Sequence, residues 1–153
     1  MNDKAKVKIT LESNIDGEVE KNAFSGEWYR KGSTVYLKYE ELEEGGSEVR
    51  TLVRLRDGEL SVTRRGDVES QQTFVAGARR SGQYASRHAS FALETETSFL
   101  WVQFGDLLKP DPSEDRLLPN LPLLLEWHYK LLVDDEQIGG FVIRLRAEAD
   151  DDQ

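Results

Sequence analysis

Residues 49–65, VRTLVRLRDGELSVTRR, show most clearly the pattern from which the fold of this chain is predicted. Side chains alternate between the two faces of a β-strand, so residues two positions apart share a face. Before the turn, Val53 and Leu55 alternate with arginines, which is the pattern of a half-buried strand. Asp57-Gly58 supplies a two-residue turn that tolerates positive φ, and the alternation resumes directly after it. The stretch therefore predicts an antiparallel β-hairpin.

The same alternation continues along the chain in both directions from this hairpin. It predicts about ten strands, mostly joined by hairpin-length turns, at residues 6–11, 19–30, 34–41, 49–55, 59–65, 67–75, 83–89, 91–104, 123–133 and 138–147. A loop is expected around residues 77–82. All four prolines lie between residues 110 and 122. Since proline cannot donate a hydrogen bond to a sheet, residues 105–121 are predicted to form the one long connection.

Ten antiparallel strands in one domain have to protect their edges, and closure into a barrel does so most completely. The successive hairpins imply an up-and-down order. The sequence therefore predicts an all-β fold, a single antiparallel up-and-down β-barrel of about 8–10 strands. A two-sheet sandwich is the alternative. A barrel of this size is just wide enough inside for packed side chains or for one small ligand.

Composition and charge narrow the class of protein. The chain has 153 residues, a net charge of −9 and no cysteine, which excludes disulfides, thiolate catalysis and cysteine-based metal sites. We expect one domain over residues 1–147 and an acidic, disordered tail at 148–153. No stretch approaches the ~20 apolar residues of a membrane span, and no secretory signal is evident. Together with the negative charge, these features predict a cytoplasmic protein that binds neither membrane nor nucleic acid.

The charge is unevenly spread along the chain. Residues 50–90 hold eight arginines, no lysine and four acidic residues. An arginine-only band suits bidentate recognition of phosphate or carboxylate groups. The alternative is a solvated sheet face on which the arginines lie opposite acidic neighbours.

Strand parity predicts which polar side chains face the core. It places seven of them inside the barrel, namely Glu41, Arg64, Gln72, Tyr84, His88, Thr97 and Tyr129. It also places Phe99 on the same face as Thr97, and it places His128 on the opposite face. A buried charge needs a partner. Two interpretations are open: the seven residues line a cavity that binds the polar head of a ligand, or Glu41 pairs with Arg64 within a structural network.

Catalytic motifs are not evident in the chain. It has no phosphate loop, no Gly-x-Ser-x-Gly elbow and no His-Glu-x-x-His motif. We therefore predict no catalytic residue, no metal site and no cofactor. Three functions remain in competition. The first is binding of a small molecule by Arg64 and Tyr84 inside the barrel, the second is a homodimer or other protein-interaction module with a filled barrel, and the third is an enzyme using Glu41 and Arg64.

Several short motifs occur in the order and spacing of a known family. They are Tyr36-x-x-Tyr39-Glu40-Glu41, Arg64-x-Gly66, Tyr84-x-Ser86, and Tyr129-x-Leu131 followed by Gly139-Gly140. Together they resemble the YwiB-like family of uncharacterised bacterial proteins over residues 5–147. The resemblance implies a calycin- and lipocalin-like antiparallel barrel, and it implies no established function. The chain departs from the family pattern at Ser86-Arg87-His88-Ala89, where the family has Thr-x-Tyr-Gly.

Overall fold

A computed structural model describes residues 4–42, 48–105 and 121–150, and these residues form ten β-strands. The strands are β1 (Lys4–Ile15), β2 (Glu18–Lys31), β3 (Thr34–Leu42), β4 (Glu48–Arg56), β5 (Glu59–Gly66), β6 (Val68–Val75), β7 (Arg79–Ser86), β8 (Ser90–Phe104), β9 (Leu123–Val133) and β10 (Glu136–Ala149). The part of the chain that the structure describes contains no helix able to span a membrane.

The ten strands form one closed antiparallel barrel. Each strand pairs with its neighbours along the chain, and β1 pairs with β10 to complete the circle. The up-and-down barrel predicted from the sequence is therefore confirmed, at the upper end of the predicted number of strands. Closure gives every strand a hydrogen-bonded neighbour on both sides, which protects most of the strand edges.

The hairpin of residues 49–65 forms as predicted, with β4 and β5 as its arms. Asp57 and Gly58 both adopt positive φ, 49° and 76°, as a tight two-residue turn requires. Arg56 therefore pairs with Glu59, and the same register runs back along both strands. This register determines which side chains of β4 and β5 meet inside the barrel.

The interior is filled mainly by aliphatic and aromatic side chains from all parts of the barrel. The largest of the fully buried apolar side chains are Phe74, Ile9, Leu37, Leu60, Leu123, Leu125, Leu145, Val7, Val35 and Val49. The rings of Trp127 and Tyr129 pack against Phe74, with centroids 5.7 and 4.6 Å away. These contacts make the part of the barrel around Phe74 a packed core.

Strand β7 lies earlier in the chain than predicted, at 79–86 instead of 83–89. Gly82, which suggests a loop in the sequence, is a buried strand residue. A Cβ at this position would collide with the carbonyl oxygen of Gln71 on β6 and with the side chain of Leu93 on β8. Glycine is required here because three strands approach closely, and single-strand periodicity does not report that approach.

Strand β8 contains a bulge that reverses the faces of its second half. Thr97 lies opposite Tyr129, but the next paired residue of β8 is Phe99, which lies opposite His128. Phe99 is consequently 41% exposed, and Leu100 packs against the core in its place. The prediction that Phe99 shares the core-facing side with Thr97 is wrong, because one extra residue shifts the alternation.

Strand β10 continues past the predicted end of the domain at residue 147. It runs to Ala149, and the backbone N–H of Asp150 donates a hydrogen bond of 2.9 Å to the carbonyl of Lys6. The predicted start of the tail at residue 148 is therefore too early. Residues 151–153, and residues 106–120 of the predicted long connection, lie outside the described residues.

Candidate ligand site at the polar end of the barrel

One row of cross-strand neighbours on the inner face of β3 to β7 is polar. Each member lies directly opposite the next on the adjacent strand. We call this set the polar row, and its members are Tyr39, Thr51, Arg64, Ser70 and Tyr84.

Glu41 joins the polar row from β3, two residues beyond Tyr39 on the same face. Its Oε2 accepts a hydrogen bond of 2.7 Å from the Thr51 hydroxyl and one of 3.1 Å from Arg64 Nε. The guanidinium on β5 therefore reaches across β4 to a carboxylate on β3. The pairing of Glu41 with Arg64 that the sequence offered as one of two interpretations is confirmed.

Tyr39 is a buried member of the polar row, next to the Glu41–Arg64 pair. Its ring is buried and stacks on Phe24, with centroids 4.9 Å apart. Burial raises the pKa of the Tyr39 hydroxyl, and the Glu41 carboxylate raises it further, against smaller opposing effects of Arg64 and of a hydrogen bond with Thr51. The pKa therefore lies well above its usual range, and the phenol stays protonated at neutral pH.

The ion pair reaches solvent through the end of the barrel. The Arg64 side chain is 30% exposed and the Glu41 side chain is 19% exposed, although both lie on the inner face. Leu37, one inward-facing position deeper on β3 than Tyr39, is completely buried. Residues 43–47, which connect β3 to β4 at this end, lie outside the described residues. The accessible part of the interior is thus the part lined by the polar row.

Two other predicted residues lie close to the ion pair along the ladder. Tyr84 is half-buried, and its ring stacks on Phe91 with centroids 5.0 Å apart. Gln72 lies opposite Val62, one inward-facing position deeper than Ser70, and is also half-buried. Four of the seven predicted residues, including Glu41 and Arg64, therefore belong to the same region of β3 to β7.

Thr97 and Tyr129 form a separate inner pair, opposite each other on β8 and β9. Both are buried, and Tyr129 lies between Phe74 and a stacked Phe141 ring whose centroid is 4.8 Å away. Burial raises the pKa of Tyr129 well above its usual range. Among the described residues, the Thr97 hydroxyl has no hydrogen-bond partner. These two residues belong to the packed wall of the barrel and not to the polar row.

His88 does not face the core. It lies in the turn between β7 and β8, is exposed, and donates a 3.3 Å hydrogen bond from its backbone N–H to the Ser86 hydroxyl oxygen. The prediction that it lines the interior is wrong because β7 ends at Ser86, and the alternation of faces ends with the strand.

His128 points outward, as strand parity predicts. Its Nε2 lies 2.7 Å from Glu126 Oε2, and its ring packs on Phe99 with centroids 4.7 Å apart. Across the described ranges, no cluster of three histidine or acidic side chains is arranged to hold a metal ion.

The sequence interpretation missed Tyr39, Thr51 and Ser70 as site residues. A signal for Thr51 is present in the hairpin, because a two-residue turn at Asp57-Gly58 makes Thr51 the partner of Arg64. Parity assigns a face to each residue, and only the register between strands shows which residues are neighbours.

Comparison with known proteins identifies relatives of the chain. The family described as "Domain of unknown function (DUF1934)" matches residues 6–145. The "Uncharacterized beta-barrel protein YwiB" of Bacillus subtilis (strain 168) is 35% identical over 91 residues, which are 60% of this chain and 63% of that protein. This match therefore spans less than two thirds of the relative.

A solved structure has the same fold. The crystal structure of the ywiB protein from Bacillus subtilis matches with a TM-score of 0.78 and 25% sequence identity, over 98% of this chain and 95% of that one. This likeness confirms the predicted all-β barrel and the resemblance to the YwiB-like family. Both matches are to the YwiB protein of Bacillus subtilis, and neither description names an activity.

Proposed function

The chain belongs to the DUF1934 family of β-barrel proteins, and we propose that it binds a small polar molecule at the polar row of its barrel. The observation that supports this most directly is the exposure of an inward-facing ion pair. Glu41 and Arg64 are both reachable from solvent, whereas the inner face deeper in β3 is sealed. Small-molecule sites combine a mostly apolar surround with a few polar groups in fixed positions, and Glu41 and Arg64 would be those polar groups here.

The ligand would lie at the open end of the barrel lined by the polar row, and not in a deep cavity. Phe74, Leu60 and Val35 fill the inner face farther along the same strands. A long apolar ligand would have to displace these packed side chains, at a cost of several kcal/mol. A small molecule with a carboxylate or carbonyl group suits the site better, because Arg64 and the hydroxyls of Ser70 and Tyr84 can donate to its oxygens.

The Glu41–Arg64 contact supports orientation of the guanidinium. One carboxylate oxygen holds Nε, so the planar group has a defined direction before any ligand arrives. Thr51 fixes the same oxygen from β4. A donor that is already held in place loses less conformational entropy on binding than a free arginine does.

Native mass spectrometry of gently purified protein tests the proposal. We expect a mass above that of the chain, lost on denaturation, in the wild type and in Arg54→Leu, whose changed residue faces outward. Arg64→Leu should lose the extra mass while its circular dichroism spectrum stays that of the barrel.

Three outcomes would overturn the proposal. Retention of the extra mass by Arg64→Leu would exclude binding at the polar row, and loss in Arg54→Leu alone would place the ligand on the outer face. If the wild type has the mass of the chain alone, a thermal-shift screen of small carboxylates and amides tests the site instead. The site is rejected if none of these compounds stabilises the protein.

The enzyme and homodimer hypotheses stay predictions. Glu41 has the opening to solvent that acid–base chemistry would need. Phe99 and Trp101 are exposed on the outer face of β8, where a second copy would find apolar surface. Sedimentation velocity at high protein concentration tests the homodimer directly, since a monomer would reject it.

A further inference from the structure

Within the described parts of the chain, four of the eight arginines between residues 50 and 90 have an acidic partner. Arg56 pairs with Asp57, Arg64 with Glu41, Arg79 with Glu94 and Asp135, and Arg80 with Glu59, at nitrogen–oxygen distances from 2.7 to 3.7 Å. Arg56, Arg79 and Arg80 are exposed, so for these three the solvated face with acidic neighbours is the interpretation that fits.

Two of the other arginines lie directly opposite each other. Arg50 on β4 is the cross-strand partner of Arg65 on β5, and both are exposed on the outer face. Side chains in this relation have Cβ atoms roughly 4.5–5.5 Å apart, and like charges there are destabilising. Among the described residues, neither arginine has an ion pair within 4 Å, although Glu40 lies opposite Arg50 on β3.

The two arginines open onto the same groove. A groove of about 650 Å³ on the outer face of β2 to β5 is lined by Arg50, Arg65 and Thr63, and by Leu52, which lies opposite Thr63. Thr63 and Arg65 share the outer face of β5, so a hydroxyl donor lies beside the two guanidinium groups. Two planar forks and a hydroxyl form a donor set for an anion with several oxygens.

We propose that Arg50, Arg65 and Thr63 form a surface site for a phosphate monoester, separate from the polar row. A doubly charged phosphate group placed between the two guanidiniums replaces their mutual repulsion with two charge-assisted contacts. Phosphate has enough oxygens to satisfy both forks and the hydroxyl at once, and the groove has room for a small organic group beyond the phosphate.

A long polyanion fits this surface less well than a compact one. Glu27 and Glu40 line the same groove, and the chain carries a net charge of −9. Nucleic acid extended across the barrel would meet these carboxylates at successive phosphates, and its affinity depends on the number of phosphates neutralised. A single phosphate group needs only the local pair of arginines.

NMR titration of the arginine Nε–H signals tests the site, with the full chain at constant ionic strength and pH 7.5. The probes are inorganic phosphate and ribose 5-phosphate, a monoester carrying the same group. We expect saturable shifts of the Arg50 and Arg65 signals, and at least tenfold weaker binding in R50Q and in R65Q.

R54Q is the matched control, because Arg54 lies on the outer face of β4 but faces Tyr36 and Ser61 instead of another arginine. Its affinity for either probe should stay within twofold of wild type. Equal affinities for the two probes would show that the site recognises only the phosphate group. Tighter binding of the ester would show that the site also contacts its organic part. Unsaturable shifts in the wild type, or equal weakening in R54Q, would overturn the proposal.

Discussion

Two rows of cross-strand neighbours lie four residues apart on the inner face of the same four strands, and they differ in chemistry. From β3 to β6, the first row reads Val35, Leu55, Leu60 and Phe74. We call it the apolar row. At the matching positions, the polar row reads Tyr39, Thr51, Arg64 and Ser70.

The comparison shows that side-chain chemistry, and not strand geometry, decides where the barrel is sealed. All four members of the apolar row are buried, and each large side chain removed from water contributes about 1.5–3 kcal/mol. The polar row gains less from burial and depends on the Glu41 hydrogen bonds for its order. Tyr39 and Thr51 of this row are buried, but Arg64, Ser70 and Tyr84 keep contact with solvent, which a binding site needs and a core does not.

The largest effect should come from the apolar row. Phe74→Ala removes a ring that Trp127 and Tyr129 pack against, and we expect a loss of about 3–5 kcal/mol of unfolding free energy. Urea denaturation followed by tryptophan fluorescence measures it. Phe99→Ala, which truncates an exposed ring on the outer face, should cost less than about 1 kcal/mol. Equal losses would mean that the apolar row is not the core.

The stability of the polar row should depend more on keeping its charges paired than on the volume of its side chains. Glu41→Leu removes the carboxylate that Arg64 contacts, and we expect a loss of about 2 kcal/mol. The double variant Glu41→Leu/Arg64→Leu should recover most of it, since an apolar pair needs no partner. Thermal unfolding of both variants, with the outward-facing Glu40→Leu as control, measures the difference. A double variant no more stable than the single one would contradict this account.

Stability at alkaline pH depends on one buried tyrosine in each of two regions, Tyr39 in the polar row and Tyr129 in the packed wall of the barrel. Burial raises the pKa of Tyr39 and of Tyr129 in the folded chain, so above about pH 10 the unfolded chain loses protons that the folded chain keeps. The stability from each tyrosine is complete below that pH. It falls as pH rises, with a limiting slope of about 1.4 kcal/mol per pH unit.

Urea unfolding at pH 8 and pH 11 measures this loss. Tyr129→Phe and Tyr39→Phe should each reduce it, and Tyr36→Phe, which changes an outward-facing ring on β3, should not. If neither core variant reduced the loss, the alkaline sensitivity would have to arise elsewhere in the chain.

The smallest effect should come from an ion pair on the outer face. Hydrogen bonds from Arg144 and then His128 lower the pKa of Glu126. Its contribution is therefore present above the pKa of the unfolded chain and disappears as pH falls through the lower folded pKa. We expect Glu126→Gln to cost less than about 1 kcal/mol at pH 7 and still less in acid, measured against Glu20→Gln. A larger loss of stability in acid than at pH 7 would contradict the predicted pH dependence of the Glu126 contribution.

The sequence was sufficient to predict the outline of the candidate site. Parity from Leu60 and Val62 puts Arg64 inside, and the same argument on β3 puts Glu41 inside. The Asp57-Gly58 turn sets the register that brings Thr51 opposite Arg64. These inferences hold because alternation and two-residue turns are properties of short segments.

The sequence was not sufficient where contacts between distant strands alter a local pattern. Counting every second residue from Tyr84 assigns His88 to the inner face, but β7 ends before His88. Phe99 continues the parity of Thr97, but a bulge reverses it. A bulge and a strand end depend on what the neighbouring strand can pair with, and a single strand does not contain that information.

Local sequence patterns specify an up-and-down barrel of antiparallel strands with a polar segment inside, because hydrophobic alternation and tight turns act between residues close in the chain. Three features arise only when the strands assemble: Arg64 bonds to Glu41 across β4, Arg50 and Arg65 face each other outside, and β1 closes on β10. These features depend on the register of several strands at once, and each register is set by turns, bulges and packing together.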